Sequence, residues 1–135
     1  MTTIAVIQGI GLSHLLQPPL TLLLSTRRGV GLRAALVPQT RLAGEVLYNM
    51  AVASIAWPTL LGLFVAYYAG DALQPGPART LTGLVSLFWC WRLYRQVIVL
   101  RPIWPNQGAL GSALNPLLAL IFAVQGPGLG FLLLV

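Results

Sequence analysis

The stretch AGEVLYNMAVASIAWPTLLGLFVAYYAG, residues 43–70, decides the fold. It runs for 28 residues with a single charged side chain, Glu45. As an α-helix rising about 1.5 Å per residue it extends ~42 Å, more than the ~30 Å of hydrocarbon in a bilayer. A loop or an open strand edge in lipid would leave backbone N–H and C=O groups without partners, so such a segment is helical. Three further blocks are also long and apolar, at 4–25, 81–101 and 111–135, the second of them carrying Arg92, Arg95 and Arg101. Each is long enough to cross. The sequence therefore predicts an all-α integral membrane protein: one domain, 1–135, built as a bundle of four transmembrane helices with short linkers.

Composition agrees. Apolar residues make up 57% of the chain and charged residues 7%, against roughly 25% charged residues in a soluble domain. The net charge is +6, and all eight basic residues are arginine, at 27, 28, 33, 41, 79, 92, 95 and 101. That excess hugs the edges of the apolar blocks, which is the pattern of topology and anionic-lipid contact rather than of nucleic-acid binding. Anionic lipid is expected at Arg27, Arg28, Arg33 and Arg41. The lone Cys90 excludes an intrachain disulfide, and no cluster has metal-ligand spacing, so neither metal nor cofactor is expected.

The charge also sets an expected orientation. The linker after the first block carries Arg27, Arg28, Arg33 and Arg41 without an acid, and the third linker carries Arg101 with Arg95 close by. The second balances Asp71 against Arg79. Short-loop arginine bias places the first and third linkers in the cytoplasm and both termini outside it, as in a multi-pass protein of a bacterial inner membrane. The first block lacks a basic start and a small-residue cleavage motif, so it is read as a retained span. Pro18-Pro19 and Trp57-Pro58 predict kinks in the first two spans. Gln125-Gly126-Pro127-Gly128 predicts that the fourth either stops near Val124 and resumes or leaves Phe131 to Val135 at the interface.

Polar side chains inside the hydrocarbon are the pointers to a site, because each is costly unless paired or wetted. Counted from the arginine-rich ends at helical rise, Glu45 lies ~3 Å in, Asn49 ~9 Å, Gln96 ~7 Å, Arg95 ~9 Å, Arg92 ~13 Å, Gln17 ~12 Å and His14 ~16 Å. Glu45, Tyr48 and Asn49 share one helical stripe; Val85, Trp89, Arg92 and Gln96 share another; His14 and Gln17 are one turn apart. Facing inward, these stripes would form a cytoplasmic-side pocket of Arg92, Arg95, Glu45, His14, Tyr48, Asn49 and Gln96. A guanidinium at the depth of Arg92 costs ~3 to ~10 kcal/mol. Glu45, the acid within a span, is its expected partner or that of Arg95. The same groups also read as plain interhelical contacts. Gly62, Ala66 and Gly70 form a small-residue row on the second helix, a further close-packing face.

In outline, a short, strongly basic chain with four spans and polar groups near the cytoplasmic side is similar to the MAPEG glutathione-dependent membrane enzymes. That family's second helix carries Arg, Asn and Glu in that order. Here Arg41, Glu45 and Asn49 stand in another order and spacing, so the resemblance covers architecture and carries no site residue. No nucleophile elbow, phosphate loop or dinucleotide fingerprint is present. The expected function is a non-enzymatic accessory or structural subunit, packed against a larger membrane protein or copies of itself. The alternative is a small enzyme or carrier using the polar pocket for an anionic or lipid-like ligand.

Overall fold

The computed structural model describes residues 2–25, 41–101 and 108–135, with side chains described over 2–22, 53–101 and 112–135. Among the described residues every regular element is helical, and the helices group into four rods. The first rod is α1 (Thr3–Ser13), one 3₁₀ turn (His14–Leu16) and α2 (Gln17–Ser25). The second is α3 (Arg41–Tyr67). The third is α4 (Pro77–Tyr94), running into a π-helical turn at Arg95–Leu100. The fourth is α5 (Gly108–Ala123), a π turn at Val124–Gly128 and α6 (Leu129–Leu134). Among the described residues one helical stretch, Ser112–Leu134, with mean hydropathy 2.1, is long and apolar enough to cross a membrane.

Local chemistry explains the ends and breaks. The Thr2 hydroxyl accepts from the Ala5 amide at 3.3 Å and caps α1. Pro18 has no N–H to give the carbonyl of His14, four residues back. The chain tightens there, and the Gln17 amide reaches that carbonyl instead, giving the 3₁₀ turn. In α3 the helix continues through Pro58, and the Thr59 hydroxyl donates to the Ile55 carbonyl at 2.9 Å. Gly76, with φ 158°, turns the chain into α4, whose first residue is Pro77, where an amide would have no helical acceptor. In the fourth rod the expected break is a widening rather than a stop. Pro127 removes a donor, and the Leu129 amide bonds back to Val124, five residues away.

The rods pack in the spatial order α3, α1, C-terminal rod, α4. Gly11 and Gly62 allow α1 and α3 to touch along their backbones: a Cβ on Gly11 would sit 2.6 Å from the Ala66 amide nitrogen. Gly126 does the same against α4, since its Cβ would lie 2.7 Å from the Cys90 amide nitrogen. Of the predicted small-residue row, Gly62 and Ala66 lie against α1, whereas a Cβ on Gly70 would meet nothing. Gly70 lies beyond the end of α3 at Tyr67. The core centres on Ile7, Val65, Val85, Trp89, Phe122 and Leu129. Outside it, large apolar side chains such as Leu16, Leu60, Leu87, Leu120 and Phe131 are exposed on all four rods.

Candidate functional site

Among the described residues six polar side chains are buried: His14, Gln17, Thr82, Ser86, Gln96 and Gln125. Burying an amide or imidazole without a partner costs roughly 1–3 kcal/mol, so the pairing of each group decides what the centre is. Gln17 Nε2 donates to Gln125 Oε1 at 3.1 Å, and Gln125 Nε2 donates to Ser13 Oγ at 3.0 Å. Ser13 Oγ in turn donates to the Ile10 carbonyl at 2.6 Å. His14 Nδ1 lies 3.0 Å from that same carbonyl and 3.1 Å from the Gly11 carbonyl. Carbonyls only accept, so Nδ1 carries the proton and, in the neutral ring, Nε2 carries the lone pair. One continuous network therefore ties the first rod to the π turn of the fourth.

The elements place these groups for identifiable reasons. His14 and Gln17 flank the 3₁₀ turn that Pro18 imposes, and both face inward. Gln125 lies inside the π turn, where Gly126 brings the backbone against α4. Ser86 Oγ donates to the Gly126 carbonyl at 2.8 Å, fastening that irregular turn to α4. Two π turns in two rods each carry a buried glutamine, Gln96 and Gln125. Single π turns inside helices recur at functional sites.

An aromatic column stands beside the network. The His14 ring meets Trp89 edge-on at 5.2 Å between centroids. Trp89 stacks on Phe122 at 5.3 Å, and the Arg92 guanidinium lies over Phe122, 5.4 Å from its centroid. Contact with an aromatic face is worth about 0.5–2 kcal/mol to a guanidinium, rising with desolvation. Among the described residues three buried atoms lack hydrogen-bond partners: His14 Nε2, Trp89 Nε1 and Thr82 Oγ1.

The residues expected from sequence are thus distributed as follows. His14 joins the central network, and Arg92 reaches the same aromatic column through Phe122. Gln96 is buried one turn further along and donates to Asn115 Oδ1 at 3.2 Å, linking the third and fourth rods. Arg95 is exposed. The side chains of Glu45, Tyr48 and Asn49, with the expected Glu45–arginine pair, lie outside the described residues, as do those of Arg27, Arg28, Arg33 and Arg41. Among the described residues no three His, Cys, Asp or Glu side chains come together. The sequence reading missed Ser13, Thr82, Ser86 and Gln125 as interior groups. Ser13 was findable, one turn before Gln17 on the same face. Gln125 was not, because its direction depends on the π turn.

No family model matches the chain, and neither a curated protein nor a solved structure is similar to it.

Proposed function

We propose that the chain is a four-span membrane protein acting as a non-enzymatic subunit, assembled with a larger membrane protein or with copies of itself. The carrying observation is that polar groups sit within the apolar core while large apolar side chains cover the outside. His14, Gln17, Gln96 and Gln125 are inside, while Leu16, Leu60, Leu87, Leu120 and Phe131 are outside. Water would penalise both arrangements; hydrocarbon favours both. The 27-residue α3 extends ~40 Å, enough to cross with tilt. The interior amides bond mainly to one another, Gln17 to Gln125 and Gln96 to Asn115. This is how polar groups join helices in lipid, at about 0.6 kcal/mol per contact. In this reading both termini are non-cytoplasmic in a bacterial inner membrane, and the arginine-rich linker lies against anionic lipid.

The test is extraction followed by native electrophoresis in mild detergent with mass spectrometry. The protein is expected to resist an alkaline wash and to migrate with a stoichiometric partner or as a defined multimer. Release by the wash would overturn the membrane reading, and a lone monomer would overturn the subunit reading.

A second reading, a pocket for an anionic or lipid-like ligand, is favoured by Arg92 over Phe122 and by the unpartnered Nε2 of His14. Glu45, Tyr48, Asn49, Arg95 and Gln96 would complete its lining. Arg92→Leu separates the two. A structural clamp loses thermal stability and assembly, whereas a ligand site keeps its fold and loses binding.

A further inference from the structure

On the opposite flank of α4 from α3, a groove of about 660 Å³ runs between α4 and the C-terminal rod. It differs from the apolar groove between α3 and α4, whose walls carry no charged side chain. At its mouth stands Arg79, and its walls are Leu84, Leu87, Phe131 and Leu134. Gly83 leaves room in it, since a Cβ there would meet nothing within 4 Å, whereas Gly130 packs against α4, its Cβ position lying 2.8 Å from Ser86 Oγ. Cys90 and Pro127 line it furthest along the helices from Arg79.

Arg79 is held in place and not neutralised. Nη1 donates to the Leu73 carbonyl at 3.5 Å, and Nη2 donates to the Leu133 carbonyl. Two of its five N–H groups are used there, and its described partners are carbonyl dipoles without net charge. A positioned fork with donors to spare suits a phosphate oxygen pair. Length supplies the second argument. From Arg79 to Cys90 the α4 wall spans ~16 Å at helical rise, about half of a ~30 Å hydrocarbon core. A charge at one end of an apolar surface groove about one leaflet long has the dimensions of a lipid.

We propose that this groove binds one acyl chain of an anionic phospholipid, with Arg79 holding the phosphate. The site lies at the end of α4 away from Arg92 and Arg95, so it is separate from the pocket of the second reading above. The proposal rests on the membrane reading.

The experiment is native mass spectrometry of the detergent-purified protein mixed with equimolar phosphatidylglycerol and phosphatidylcholine of identical acyl chains. Both lipids carry the phosphate, but the choline cation of phosphatidylcholine offsets its charge and would be held beside Arg79. Wild-type protein is therefore expected to retain phosphatidylglycerol about tenfold over phosphatidylcholine, the scale of one charge interaction. Arg79→Gln, which keeps a donor for the carbonyls, is expected to abolish the preference. Gly83→Leu, which fills the slot without meeting backbone, is expected to reduce retention of both lipids. Far-UV circular dichroism checks that both variants stay helical, and Gly83→Leu alone carries the test if Arg79→Gln unfolds. Equal retention of the two lipids by wild-type protein would overturn the proposal. So would a preference that survives Arg79→Gln, or retention unchanged in Gly83→Leu. A dimer that Gly83→Leu splits would assign the groove to a second copy instead. Recovery of the protein in an alkaline wash would overturn the membrane reading itself, a failure distinct from an empty groove in a protein that needs detergent.

Discussion

Gly62 controls the distance between α1 and α3 more than any large side chain does. A Cβ there would run into the His14 side chain and lie 2.6 Å from the Gly11 carbonyl oxygen. The backbone partner cannot swing aside as a flexible side chain would, so the helices must separate. Gly62→Ala is expected to cost about 1–3 kcal/mol, the scale of overpacking. It would lower the thermal midpoint in detergent and disturb the Gln17–Gln125 contact. Gly9→Ala is the control: its Cβ meets nothing, and alanine is the better helix former by about 0.5–1 kcal/mol. Equal stability of the two variants would mean that α1 and α3 do not touch at Gly62. This contact was partly legible, because the spacing of Gly62, Ala66 and Gly70 marks a face. The spacing does not say that the helix ends at Tyr67, and so Gly70 falls outside the contact.

At the scale of the element, the irregular turns carry the architecture. The break near Val124 was readable because Gly and Pro announce it, yet the residues do not reveal whether the helix stops or widens. It widens because the Ser86 hydroxyl fastens the Gly126 carbonyl and the Leu129 amide finds Val124. Both depend on α4 lying alongside. The π turn at Arg95–Leu100 contains neither Gly nor Pro, and nothing local marked it. The 3₁₀ turn at His14–Leu16 is the legible opposite, since Pro18 names the carbonyl that loses its donor. Ser86→Ala isolates the dependence on α4. The Gly126 carbonyl also accepts from the Leu129 amide, so loss of the Ser86 bond removes one of its donors and is expected to cost about 1 kcal/mol. Amide exchange should accelerate across Leu129–Leu134 and remain unchanged in Thr3–Ser13. Uniform acceleration in both segments would mean that the C-terminal rod does not fold as a separately fastened piece.

For the molecule as a whole, the contacts fix which ends lie together. Gly11 faces Ala66, and Gly62 faces His14, so α1 and α3 run antiparallel and Thr2 lies toward the turn after α3. Arg79 reaches Leu133, and Gly126 abuts Cys90, so α4 and the C-terminal rod are antiparallel too. Thr2, the turn around Gln74 and Val135 therefore share one end. Ser25, the last residue of α2, and Arg41, the first of α3, lie toward the other end, and Arg27, Arg28 and Arg33 fall between them in sequence. A membrane sorts such ends by charge, keeping the arginine-rich one in the cytoplasm. Cysteine labelling in intact cells reads this directly, in a Cys90→Ala background. Thr2→Cys and Gln74→Cys are expected to react with an impermeant maleimide from outside, and Gln39→Cys only after permeabilisation. Gln74 is the better probe than neighbouring Gly76, whose φ of 158° resists a side chain. Labelling of Gln39→Cys alone in intact cells would invert the orientation and leave the bundle standing. Labelling of Thr2→Cys and Gln74→Cys from opposite sides would mean that the first two rods do not both cross, and the four-span arrangement would fall with it.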